Sequence, residues 1–72
     1  MTDKRFRKGD KVEWQSHGST VVGTVQREIT SDTEAAGRTV RASKDEPQYQ
    51  VRSDKTGADA VHKPSALRHH QD

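Results

Sequence analysis

Between Lys8 and Val25 the chain (KGDKVEWQSHGSTVVGTV) alternates apolar and polar residues in the manner of a β-hairpin. After a tight lead-in at Gly9-Asp10, Val12 and Trp14 share one face while Lys11, Glu13 and Gln15 share the other, the period-two pattern of a half-buried strand. Ser16-His17-Gly18-Ser19 supplies the turn, and Gly18 tolerates the positive φ that tight hairpins require. The second strand carries Val21, Val22 and Val25. Gly23 interrupts it, and an internal strand glycine marks a bulge, a sharp bend or the close approach of another backbone. Strands of a small barrel must bend to close, so Gly23 suits a barrel better than a flat sheet.

Arg27 to Ser43 (REITSDTEAAGRTVRAS) reads less clearly. Ser31-Asp32-Thr33-Glu34 has capping-box spacing, and Gly37 would end one turn of helix around Ala35-Ala36. So short a helix is unstable alone, and a mobile loop carrying a helical turn accounts for the pattern as well. Thr39-Val40-Arg41 then forms a short strand with Val40 inward. Lys44-Asp45-Glu46-Pro47 is a polar turn leading into a strand from Gln48 to Arg52, with Tyr49 and Val51 on one face. Asp54 to Gly57 is another tight turn, and Ala58 to His62 the last strand, with Ala60 or Val61 inward according to register. Lys63-Pro64-Ser65-Ala66-Leu67 reads as one 3₁₀-like turn that returns Leu67 to the core.

Five short strands are too few for a two-sheet sandwich, so the expected fold is all-β, a small five-stranded SH3-like barrel with one long loop at 27–43. Its core is drawn from Val12, Trp14, Val21, Val22, Val25, Val40, Tyr49, Val51, Val61 and Leu67. The expected organisation is a flexible basic arm at 1–7, the barrel at 8–68 and a polar tail at 69–72.

Composition tightens this picture. The chain has 72 residues, 26% of them hydrophobic and 33% charged, which allows one domain with a small core. There is no cysteine, so neither disulfides nor thiolate metal sites contribute. No apolar stretch reaches the length of a signal-peptide core or membrane span, and the expectation is a soluble cytoplasmic monomer without membrane contact. Thirteen basic against eleven acidic residues leave a net charge of +2, which permits polyanion binding without requiring it.

The order of motifs adds a resemblance. Lys8-Gly9-Asp10-x-Val12-x-Trp14, Gly18 and Gly23-x-Val25 resemble the opening of SH3-like barrels of the Tudor and KOW types. Ile29 to Thr33, Gly37 to Ser43, Glu46 to Tyr49 and Val61 to Leu67 together resemble the hypervirulence-associated TUDOR domain family, over roughly Phe6 to Arg68. The resemblance implies a small Tudor-like barrel, often a stand-alone bacterial protein, and brings neither an established ligand nor catalytic residues. Fold does not fix function.

Candidate chemistry is sparse. A methyl-lysine cage needs several aromatic faces around a cation, and Phe6, Trp14 and Tyr49 are the whole supply, so core packing is the stronger reading. His17, His62, His69 and His70 match no metal-ligand spacing, and no metal or other cofactor is expected. Serines and threonines fall in turns and edges, so the domain reads as a non-enzymatic binding module. The remaining feature is a basic set: Lys4, Arg5, Arg7, Lys8 and Lys11 in the arm and first strand, with Arg38, Arg41 and Lys44 after the second. Arg27 and Arg52 belong to the same charged surface, and Glu28, Asp32, Glu34, Asp45 and Glu46 interleave with it, so a mixed surface competes with a basic face. In the functional version these cations contact phosphates of a single-stranded RNA or DNA, while Thr39 and Gln48 bond sugars or bases. The alternative is a protein-interaction or stress-associated accessory domain docking through a strand edge or the 27–43 loop.

Overall fold

The computed structural model describes residues 5–70, and the opening alternation becomes strands β1 (Lys11–Ser16) and β2 (Ser19–Ile29). Val12 and Trp14 are buried and Lys11 and Gln15 exposed. His17 and Gly18 both take positive φ, 50° and 81°, as a two-residue type I′ hairpin demands. Trp14 therefore faces Val21, and Val12 faces Gly23.

The remaining strands are β3 (Thr33–Ala35), β4 (Arg38–Val40), β5 (Gln48–Ser53), β6 (Asp59–His62) and β7 (Arg68–His69), with a 3₁₀ turn at Pro64–Ala66. Five of them form one antiparallel sheet in the order β6-β5-β2-β1-β7, and β3 pairs with β4 alone. The architecture is a small all-β domain of the SH3-like, Tudor-like kind. Among the described residues there is no α-helix, and no helix is long and apolar enough to cross a membrane. The 3₁₀ turn falls where the sequence indicates and Leu67 is fully buried.

Several elements differ from the expectation. The segment 27–43 is neither one long loop nor a helical turn. β2 continues to Ile29, and residues 33–40 form a second two-residue hairpin with Ala36 and Gly37 at φ 52° and 77°. A left-handed glycine serves a helix end and a type I′ turn equally, which is why the sequence pattern was ambiguous. The hairpin prevails because it buries Ala35 and Val40 together. The strand around Val40 thus lies outside the main sheet, whose fifth member is β7. Arg68 and His69, the latter expected in a polar tail, pair with Glu13 and Val12 of β1.

A bulge decides where the core lies. Val25 faces Val51 and Ile29 faces Gln48, so five residues on β2 span four on β5, with the irregularity between Val25 and Arg27. One extra residue turns every later side chain to the opposite face. Val25 consequently joins Phe6, Val12, Trp14, Tyr49, Val51 and Leu67 on one side. Ile29 joins Val61, Ala35 and Val40 in a second cluster under the β3–β4 hairpin. Val22, expected in the core, points to the polar face opposite Glu13 and is only partly buried. Phe6, Ile29 and Ala35 are core residues that the strand pattern did not include. Gly23 marks a close approach: a Cβ there would sit 2.3 Å from the Arg52 carbonyl oxygen and 2.6 Å from the Trp14 ring.

Candidate functional site

Alternation places Lys11, Glu13, Thr24, Arg52 and Asp59 on the sheet face away from Trp14, and there the charges neutralise one another. The Lys11 ammonium pairs with the Asp54 carboxylate and donates to Thr24 Oγ1 at 3.2 Å, while the Thr24 hydroxyl donates to Asp54 Oδ1 at 2.9 Å. Arg52 Nε meets Asp59 Oδ1 at 2.8 Å, and Arg68 Nη2 meets Glu13 Oε2 at 3.1 Å. Arg27 donates instead to Gln50 Oε1 at 2.9 Å. Bonds from Lys11 and then Thr24 hold the Asp54 carboxyl below its ordinary value, and a bond from Arg52 does the same for Asp59.

The other cations singled out by the sequence behave differently. Arg5, Arg7, Lys8, Arg38, Arg41 and Lys44 are exposed, and none forms an ion pair with a carboxylate among the described residues. Lys4 lies outside the described residues. Arg7 and Lys8 sit in the turn that delivers the chain into β1. Asp10 closes it by donating its amide to Arg7 O and accepting the Arg7 amide at Oδ2, each at 2.9 Å. Gly9 then donates to Val25 O at 2.8 Å, fixing the turn against β2. Arg38 lies on β4, and Arg41 and Lys44 follow it. Their connection is braced by Ala42 N–H to Asp32 Oδ1 at 3.1 Å and Gln48 Nε2 to Arg41 O at 2.6 Å.

Two neighbouring side chains each respond to one of these cations. Tyr49 and His62 are directly opposed across β5 and β6. Burial lifts the Tyr49 phenol above its usual value; its bond to Glu28 adds to the rise, and the Phe6 amide and the charge of Arg5 oppose it. Burial lowers His62, and the charge of Arg38 adds to that. Asp32, Glu34, Asp45 and Glu46 are also exposed on the hairpin side, so charge there is mixed.

The aromatic side chains build the core rather than a cage. Phe6 and Trp14 are 4% and 6% exposed and Tyr49 is fully buried, leaving no ring face for a ligand cation. Phe6 meets Tyr49 edge to face at 5.3 Å between centroids, and Tyr49 Oη accepts the Phe6 amide at 3.3 Å and donates to Glu28 Oε2 at 3.0 Å. The Trp14 ring packs on His62 at 5.4 Å. Among the described residues no three His, Asp or Glu side chains converge as metal ligands. Sequence pattern alone missed the contacts of Glu13 on β1 with Arg68 and His70. They join residues more than fifty positions apart, and no local signal announces them.

Residues 9–67 match the family model described as hypervirulence associated proteins TUDOR domain. No curated protein and no solved structure matches the chain.

Proposed function

The chain belongs to the hypervirulence-associated TUDOR domain family, which supports a small binding module, and from that premise we propose that it binds single-stranded nucleic acid through its exposed cations. The observation behind this reading is the sorting of charge. Lys11, Arg52 and Arg68 meet carboxylates on the polar sheet face, whereas Arg5, Arg7, Lys8, Arg38, Arg41 and Lys44 meet none among the described residues. The charge of Arg5 acts on Tyr49 and that of Arg38 on His62, residues opposed across β5 and β6, and in this reading one strand meets both cations. Lys4 belongs to the set by sequence, and Lys11 contributes least because Asp54 already holds its charge. Arg and Lys contact phosphates in this reading, and Thr39, which is exposed, bonds a sugar or base.

Salt dependence gives the test its scale. Neutralising about four phosphates of a single strand gives a log–log salt slope near −3, so affinity falls about fifty-fold between 50 and 200 mM salt. Labelled protein is titrated with mixed-sequence single-stranded RNA and DNA while amide NMR shifts are followed. Saturable shifts confined to Arg5–Lys8 and Arg38–Lys44, weakening steeply with salt, are expected. No shifts at low salt would refute the reading. A protein partner then takes precedence, docking at the sheet edge formed by β6 or on the β3–β4 hairpin.

A further inference from the structure

Of the described histidines, His69 and His70 stand beside Asp10 and Glu13, at 3.5 and 3.1 Å, and His17 is exposed in the β1–β2 turn. His62 has a different setting. It lies at the end of β6, opposite Tyr49, and its ring packs on Trp14 with centroids 5.4 Å apart and planes at 41°. Trp14 is buried and His62 only half-buried, so the imidazole sits at the rim of the first core. Ala60, on the same face of β6, and Val21, opposite Trp14, are also partly buried against that core. The His62 ring forms no hydrogen bond or ion pair with a described residue, and no buried side-chain nitrogen among those residues lacks a partner. Both ring nitrogens therefore reach solvent. A ring held in place by packing, with its polar edge open to solvent, is prepared to bond a ligand.

We propose that His62 hydrogen-bonds a base of the bound strand through its ring edge, next to a phosphate held by Arg38. The inference rests on the single-strand reading above, and it adds a residue that tells a nucleic acid from other polyanions. Phosphate contacts position a ligand, and base contacts identify it. Burial, and after it the charge of Arg38, lowers His62 below its ordinary value of 6.5, so the ring is predominantly neutral at pH 7. A neutral imidazole offers one N–H and one bare nitrogen. Base edges combine donors and acceptors in the same way, and a single strand leaves them accessible. Phosphates and carboxylates only accept, a demand that Arg38 meets better than a neutral ring. Trp14 behind the imidazole limits its rotamers, so little side-chain freedom is lost on binding.

The full chain is titrated at low salt with two fluorescently labelled oligonucleotides of equal length. One has mixed sequence; the other is abasic, keeping the phosphates and lacking the bases. The mixed-sequence strand is expected to bind about fivefold more tightly, the worth of one net hydrogen bond. His62→Phe keeps an aromatic ring on Trp14 and removes both nitrogens, so it is expected to abolish this preference while holding the abasic strand as the wild type does. Equal affinities in the wild type, or a preference that survives in His62→Phe, would overturn the base contact and leave the phosphate-binding reading standing. An equal loss on both strands in His62→Phe would make the role of His62 structural and overturn the contact as well. Binding of neither strand by the wild type would overturn the reading and this inference together.

Discussion

Replacing Gly23 by alanine isolates one feature of the packing. The new Cβ would lie 2.3 Å from the Arg52 carbonyl oxygen and 2.6 and 2.8 Å from two atoms of the Trp14 ring. Gly23 does not occupy the left-handed region, so alanine suffers no backbone strain, and the lost chain entropy of glycine alone would favour the variant by about 0.4–1 kcal/mol. Opposing this is overpacking, which costs about 1–3 kcal/mol where neighbours cannot move. The Trp14 ring is hemmed in by His62, and the Arg52 oxygen is backbone of the adjacent strand, so the upper end of that range applies. The net loss is about 2 kcal/mol, against about 4–11 kcal/mol expected for a 72-residue domain. With a urea slope of about 1 kcal/mol per molar, the denaturation midpoint falls by about 2 M, read by Trp14 fluorescence and circular dichroism together. Gly18→Asn is the comparison: its site is open, so only backbone strain at φ 81° acts there, about 1 kcal/mol or less because asparagine tolerates that region, and its midpoint falls by less than about 1 M. A Gly23→Ala midpoint at or above wild type would refute the packing argument.

Two further variants probe the hairpin and the polar face. Ala36 holds a left-handed conformation at φ 52° in an exposed turn, so Ala36→Asn should raise stability by about 0.5 kcal/mol, or a melting temperature by about 2–4 °C; a lowered one would argue against the type I′ turn. Asp54 and Asp59 are held below their ordinary value of 3.8 by Lys11 and Arg52 respectively, so their stabilisation is present above that pH and lost as pH falls through the folded values. An Asp54→Asn/Asp59→Asn variant should show a flatter decline of the urea midpoint with acid than wild type, and an identical decline would remove these pairs from the account.

Much of the fold was legible where the determinants are neighbours in the chain. The His17-Gly18 turn, the inward sides of Val12, Trp14, Tyr49 and Val51, and the return of Leu67 all follow from alternation and turn chemistry within a few residues. Ile29 was not legible, because its side depends on a bulge that only pairing with β5 reveals. The hairpin at 33–40 was ambiguous for a related reason: three-residue strands carry no period, and burial of Ala35 and Val40 against Ile29 and Val61 settles their state. The basic set could be named from sequence, but not that Lys11 meets Asp54, forty-three positions away, while Arg38 meets no carboxylate among the described residues.

Composition, strand alternation and glycine-bearing turns were sufficient for a small all-β domain and most of its first core, since each acts over a few bonds. Partnership across the sheet decided the second core, the position of β7 beside β1, and which cations keep their charge free. Those outcomes depend on contacts between distant residues, whose formation reflects the free energy of the whole assembled sheet rather than any local preference.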